Sequence, residues 1–203
     1  KLSNRSSINR DIEKLDKSLS DARDDYERAV ICSDIASLHD QKGNIMSAMN
    51  YAQKAVRYQP ALFMPHYLLG KAYLDAGRYD EAEGELVISR KLKDDHAPSH
   101  FEMGNLYYKK YNYPAAISEY QATIKLDPGH YQAYNNLASL LSQNRRFAEA
   151  KAALESAIRI KPDFAVGYKN LGIIYELHLK NYPLAIQNYR KYLELRPDST
   201  DRN

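Results

Sequence analysis

The chain has 203 residues, and its 29 lysines and arginines against 26 aspartates and glutamates leave a net charge of +3. Acidic and basic residues are interleaved, so no basic stripe argues for nucleic acid and no polybasic run for a membrane surface. No apolar run is long enough to span a bilayer, and a single cysteine, Cys32, excludes an internal disulfide.

Residues 1–28 open the chain. Ile8, Ile12, Leu15, Leu19, Ala22 and Tyr26 alternate in steps of four and three, which predicts an amphipathic helix with a heptad-like stripe. Two readings stand: a cap lying over whatever follows, or a seam for self-association. Asn4-Arg5-Ser6 fits a glycosylation acceptor, a pattern too common to count. The chain starts at Lys1 without a methionine, so it reads as an excised piece.

From residue 29 a different regime begins. Ala48, Ala82, Ala116 and Ala150 recur at an interval of 34 residues (82 − 48). Small residues Ala36, Gly70, Gly104, Ala138 and Gly172 run in the same phase. Each follows an apolar residue, and three positions later come His39, Tyr73, Tyr107, Leu141 and Tyr175. Such a period marks one supersecondary unit copied along the chain. Each copy holds two stretches of apolar residues at helical spacing, for example Tyr134, Leu137, Leu141 and then Phe147, Ala150, Leu154, Ala157. The small slots let two helix backbones approach closely, where a larger side chain would wedge them apart. Gly43, Gly77, Asn112, Asn144 and Asn181 punctuate the turns, residue types that tolerate the left-handed conformation at a helix end. Pro114 and Pro183 follow such turns, where a first-turn proline loses no hydrogen bond. In the last copy one residue is inserted around 177–180, and is expected in the turn between its helices.

The order large, apolar, small, large, then Ala, large, Ala and Pro resembles the tetratricopeptide repeat. Tyr134, Leu137, Ala138, Leu141, Ala150, Leu154, Ala157 and Pro162 match it slot for slot. The resemblance implies an all-α fold of about eleven helices, a right-handed superhelical solenoid of helix-turn-helix repeats. Five copies would span 29–62, 63–96, 97–130, 131–164 and 165–197, after the helix of 1–28. Asp198–Asn203 would be a tail at the boundary of the excised piece.

Catalytic signals are weak throughout. His96 and His100 stand four apart, but His100, like His66, fills the slot held by Tyr134 and Tyr168 in later copies. Packing therefore accounts for them better than a metal does. No zinc motif, nucleophile elbow or phosphate loop appears, so no catalytic residue, metal or cofactor is expected.

The resemblance also implies that the first helices line a concave groove. Its lining would include Tyr67, Lys71, Leu74, Phe101, Asn105, Tyr108, Asn135, Asn136, Lys169 and Asn170, the candidate peptide-binding residues. Tyr67, Leu68, Leu74, Phe101 and Tyr108 would form an apolar patch, while Asp34 and Asp40 favour a basic residue on the ligand. Asn136 and Asn170 share one slot, similar to the asparagine ladder with which some arrays of this family hold a peptide backbone. Asp34, Leu68 and Glu102 interrupt it. The chaperone-tail clamp of the family is a poor match, since Ser33, Ser37, Tyr67 and Ser139 occupy its basic and amide slots. The function expected is a non-catalytic scaffold that binds a protein or peptide partner, with no nucleic acid and no membrane insertion. The alternatives are a self-assembling structural scaffold, or the targeting array of a larger enzyme.

Overall fold

The computed structural model describes residues 2–196, with side chains from Ser6 onward. Among these residues there are eleven α-helices and no strand. They are α1 (Leu2–Asp21), α2 (Asp25–Gln41), α3 (Ile45–Tyr58), α4 (Phe63–Asp75), α5 (Tyr79–Leu92), α6 (Ala97–Lys109), α7 (Tyr113–Leu126), α8 (Tyr131–Gln143), α9 (Phe147–Ile160), α10 (Ala165–Ile173) and α11 (Tyr182–Leu195). The even-numbered helices from α2 onward open the five copies, and the odd-numbered ones close them. Pro197 and the tail expected after it lie outside the described residues. The chain divides into two compact units, Lys1–Lys110 and Tyr111–Asn203, so the boundary falls inside the third copy.

In the first unit α1 lies against α2. Ile8, Ile12 and Ala22 are buried with Ile31 and Ile35, and Leu15, Leu19, Leu38 and Tyr51 pack around them. Lys42 Nζ donates to Asn9 Oδ1 at 2.6 Å, and the Tyr51 hydroxyl to Asp16 Oδ1 at 2.9 Å. The heptad stripe is thus consumed by the first copy, with Tyr26 left exposed. Asp24 starts α2, its carboxylate accepting from Glu27 N at 2.8 Å while Glu27 Oε2 accepts from Arg23 N. We expect removal of residues 1–21 to lower the melting temperature while the protein stays monomeric. Uncovering Ile31 and Ile35 forfeits burial worth about 1.5–3 kcal/mol per large side chain. A halved mass by light scattering without loss of stability would instead make α1 an oligomer seam.

The small slots do what close packing demands. Ala36, Ala82, Ala116 and Ala150 are wholly buried, and Ala48 and Ala138 nearly so. A β-carbon on Gly70 would meet Leu86 Cγ at 2.7 Å, and one on Gly172 the Tyr189 ring at 2.6 Å. Around these contacts the first unit builds a core of Ala36, Met49, Ala52, Leu69, Ala72, Leu86, Met103 and Leu106. In the second unit Tyr120, Leu140, Leu154, Leu171 and Ile174 are buried.

The turns differ from expectation. The left-handed residues are Gly43, Gly77, Tyr111, Arg145 and Lys180, with φ between 52° and 74°. Asn112 and Asn181 come one residue later and accept from Ala115 N and Leu184 N, capping α7 and α11. Asn144 ends α8 with φ −85° and ψ 13°, short of the left-handed region. The backbone closure of the helix end selects the slot. Asn44 N donates to His39 O, Arg78 N to Tyr73 O and Arg146 N to Leu141 O, each across five residues.

In the last copy the corresponding bond, Asn181 N to Tyr175 O at 2.8 Å, spans six residues. The inserted residue is absorbed before the turn, in a π-helical stretch Ile174–His178 closed by Leu179 N donating to Ile174 O at 3.0 Å. A helix can wind one extra residue into a wider turn without losing its backbone bonds. The tight turn beyond it cannot.

Candidate functional site

Within the first unit α2 touches α4 and α4 touches α6, whereas α3 and α5 make at most marginal contact. The first helices therefore close up on one side, and that side carries the candidate residues. Lys71 sits at its centre, paired with Asp40 and 3.9 Å from Asp75. Glu102 is 9 % exposed and accepts from Asn105 Nδ2 at 3.0 Å. Burial raises the carboxyl pKa of Glu102, Asp75 and Asp34. Asp40 and Asp75 raise Glu102 further, while Asn105 and Lys71 oppose the rise. Asp40, Asp75 and Glu102 thus gather around Lys71, three carboxyls to one ammonium.

Aromatic groups border the acids. Tyr67 packs on the core and meets the His96 ring edge-on at 4.9 Å. Burial pushes its hydroxyl pKa up, with Glu102, Asp40 and Asp75 adding to the shift. Phe101 and Tyr108 are half-buried on α6. Two expectations need correction. Leu74, at 9 % exposed, and Leu68, at 6 %, belong to the core rather than to an open patch. Asp40 is already bound to Lys71, so it is not a bare acid awaiting a ligand.

In the second unit Asn135 and Asn136 lie on α8 and Lys169 and Asn170 on α10. The amides form one directed chain. Asn170 Nδ2 donates to Asn135 Oδ1 at 2.8 Å, Asn135 Nδ2 to Asn136 Oδ1 at 3.3 Å, and Asn136 Nδ2 to the Tyr120 hydroxyl at 3.4 Å. Lys169 Nζ stands over the Tyr192 ring, 5.3 Å from its centre. Beside Asn170 is a cavity of about 230 Å³, lined by Ala138, Ser139, Ser142, Gln143, Leu154, Asn170, Ile173 and Ile174. Repeat spacing alone does not reveal this hollow between α8 and α10. Its signal was the inserted residue, since Ile174 begins the π-helical stretch.

His96 and His100 do not converge. His96 Nδ1 pairs with Ser99 Oγ at 2.8 Å, and His100 Nε2 donates to the Asp94 carbonyl at 2.8 Å. His66 is more telling. It is 4 % exposed, with Nδ1 2.6 Å from Glu85 Oε2 and Nε2 2.9 Å from the Pro60 carbonyl. Only the imidazolium donates to both. Burial lowers the His66 pKa, but the bonds to Glu85 and Pro60 and the Glu85 charge outweigh it, and the net shift is upward from 6.5. A raised folded value gives stability that is full below the unfolded pKa and fades as pH rises through the folded one. We therefore expect Glu85→Gln to cost more stability at about pH 5.5 than at about pH 8.5 in urea titrations. Equal costs at both would contradict the pairing. His39, His96 and His130, whose pKa values burial lowers, lose their contribution as pH falls, but equally in both proteins.

Helix pairs at a fixed period, with no strand among the described residues, define an α-helical repeat protein. A family model, the tetratricopeptide repeat, matches residues 33–87, 101–163 and 137–200, and the chain belongs to that family. A comparison with curated proteins finds no match. Among solved structures, MamA is similar at 26 % identity with a TM-score of 0.70, over 80 % of this chain and 95 % of that one. YrrB, described as a TPR protein with an unusual peptide-binding site, is similar at 18 % identity with a TM-score of 0.68, over 92 % and 94 %. The anaphase-promoting complex hetero-tetramer Cut9–Hcn1 gives 18 % and 0.83, over 96 % of this chain and 38 % of that one. The family and the fold make the chain a protein-interaction scaffold.

Proposed function

We propose that the chain is a non-catalytic scaffold that binds an extended segment of a partner protein along its first-helix faces. One observation carries this reading. The packing slots hold small or apolar residues in copy after copy, whereas the slots on the first-helix face vary in chemistry along the array. One such slot reads Ser33, Tyr67, Phe101, Asn135 and Lys169, and another reads Asp34, Leu68, Glu102, Asn136 and Asn170. Packing alone would repeat these residues too. Their divergence fits a surface that reads a different side chain at each copy.

In the first unit Asp75, the most exposed acid beside Lys71, suits a basic residue on the ligand, with Phe101 and Tyr108, half-buried on α6, as an apolar anchor. In the second unit the uncharged face suits the ligand's main chain. YrrB carries a peptide-binding site on the same fold, in keeping with this reading. The test is selection of peptides from a random library against residues 1–203. Peptides enriched in lysine or arginine next to an aromatic or aliphatic residue, and whose binding weakens as salt is raised, are expected. Enrichment of acidic peptides would contradict it.

A further inference from the structure

We infer that two neighbouring turns of the second unit form a peripheral contact for an anionic lipid bilayer. They are the turn between α8 and α9 and the one between the π-helical stretch and α11. Leu177, Leu179 and Tyr182 enter the interface, and Arg145 and Lys180 meet the headgroups. This surface is independent of the groove reading above. The turns lie side by side, since the Phe147 ring stacks on His178 with 3.8 Å between ring centres. Leu177 is 52 % exposed, Leu179 41 % and Tyr182 55 %, so three large side chains leave apolar surface in water together. Leu179 stands just before the left-handed residue of its turn, a slot held by Lys42, Ala76, Lys110 and Asn144 in the earlier copies. Closing the turn therefore requires no leucine there, and its exposure to water is unfavourable.

Two cations border the leucines. Arg145 and Lys180 hold left-handed positions, at φ 58° and 52°, where the first unit has Gly43 and Gly77. Glycine closes such a turn without strain, so a long basic side chain in its place serves something other than the backbone. The side chains of Arg145 and Lys180 make no ion pair or hydrogen bond among the described residues. The acids nearby are engaged, Glu149 by Arg146 at 2.6 Å and Glu176 by the Tyr189 hydroxyl at 2.7 Å. Free positive charge beside exposed leucines and a tyrosine complements a bilayer interface, which offers anionic headgroups over an apolar layer. The hollows between the helices of the second unit are lined by other residues, and these side chains project from turns instead. A fluid interface accepts projecting side chains without a matching hollow. No basic run in the sequence announces the cluster, because its two cations stand 35 residues apart (180 − 145).

The probe is a vesicle, sedimented with residues 1–203 at about 0.1 M salt. Phosphatidylcholine vesicles with about one-third phosphatidylglycerol are expected to bind at least tenfold more strongly than phosphatidylcholine alone, and more weakly as salt rises. Arg145→Gly with Lys180→Gly removes both charges and suits the turns, so the fold is kept. It should weaken binding at least tenfold, at about fivefold per cation. Leu177→Ser with Leu179→Ser should weaken it as much. Arg57→Gln with Lys91→Gln, which removes two exposed cations from α3 and α5, should leave binding within about twofold. The chain has no tryptophan, so Leu179→Trp gives a single reporter whose emission should shift to the blue on phosphatidylglycerol vesicles. Equal losses in the two charge variants would mean diffuse attraction, and an unshifted reporter would mean no entry; either overturns the inference. Vesicles left unbound while the soluble peptide Glu-Leu-Glu-Leu shifts the Leu177 and Leu179 resonances would assign the turns to an acidic protein partner instead. Displacement by inorganic phosphate beyond that by sodium chloride of equal ionic strength would reduce the contact to a phosphate site and overturn the lipid assignment.

Discussion

Gly70→Ala should destabilise the chain by about 1–3 kcal/mol, while the same change at Gly84 should stabilise it by about 0.5–1 kcal/mol. Both glycines lie in helices, Gly70 in α4 and Gly84 in α5, so intrinsic propensity favours alanine equally at the two sites. Only packing separates them. A β-carbon on Gly70 would stand 2.7 Å from Leu86 Cγ and 3.1 Å from the Leu86 backbone nitrogen, whereas on Gly84 it meets nothing within 4 Å. The Leu86 side chain can turn aside, but its backbone cannot, so α4 and α5 must separate. Gly172→Ala should behave like Gly70→Ala in the second unit, because the Tyr189 ring it would strike is held by its hydroxyl on Glu176 at 2.7 Å. Leucine at either site should cost more again. Urea denaturation of the set gives the answer directly. Equal shifts at Gly70 and Gly84 would mean that the register of the repeat is wrong.

The second large effect concerns binding. Phe101→Ala with Tyr108→Ala should reduce capture of a library-selected peptide by more than about a hundredfold, since desolvated aromatic anchors each contribute about 2 kcal/mol or more. Tyr67 is left out because it packs on the core and on His96, so its truncation would confuse folding with binding. Circular dichroism of the double variant should show the helical content retained. Tyr108→Phe separates ring from hydroxyl and should cost less than about tenfold, the loss of one neutral hydrogen bond. Undiminished capture by the double variant would remove the anchor from the account.

The sequence could be read furthest where geometry leaves no choice. Close approach of paired helices admits only small side chains, so Ala36, Gly70, Ala82, Ala138 and Ala150 announced the fold by their spacing alone. Features set by neighbours in space were harder to read. Asn112 and Asn144 are residue types that tolerate the left-handed backbone, yet helix-end closure assigns it to their neighbours Tyr111 and Arg145 whatever their propensity. The insertion in the last copy could be counted but not placed, because a wider helical turn and a longer loop give the same count. On the first-helix face, Leu68 and Leu74 occupy slots at the border between the face and the adjoining helix. Whether such a residue points out or packs inward depends on neighbours that spacing does not reveal. The asparagines of α8 and α10 were visible as a type, but their linkage into one directed chain requires the two helices side by side.

The central claim is that ligands occupy the first-helix faces. The most direct measurement is a backbone NMR footprint of a library-selected peptide on residues 1–203. The account predicts shifts clustered on Phe101, Asn105 and Tyr108, on Asn135 and Asn170, or on both sets, and salt-sensitive shifts near Asp75 and Glu102. A footprint centred instead on second-helix residues such as Glu83 and Arg90, with the first-helix faces unchanged, would contradict it.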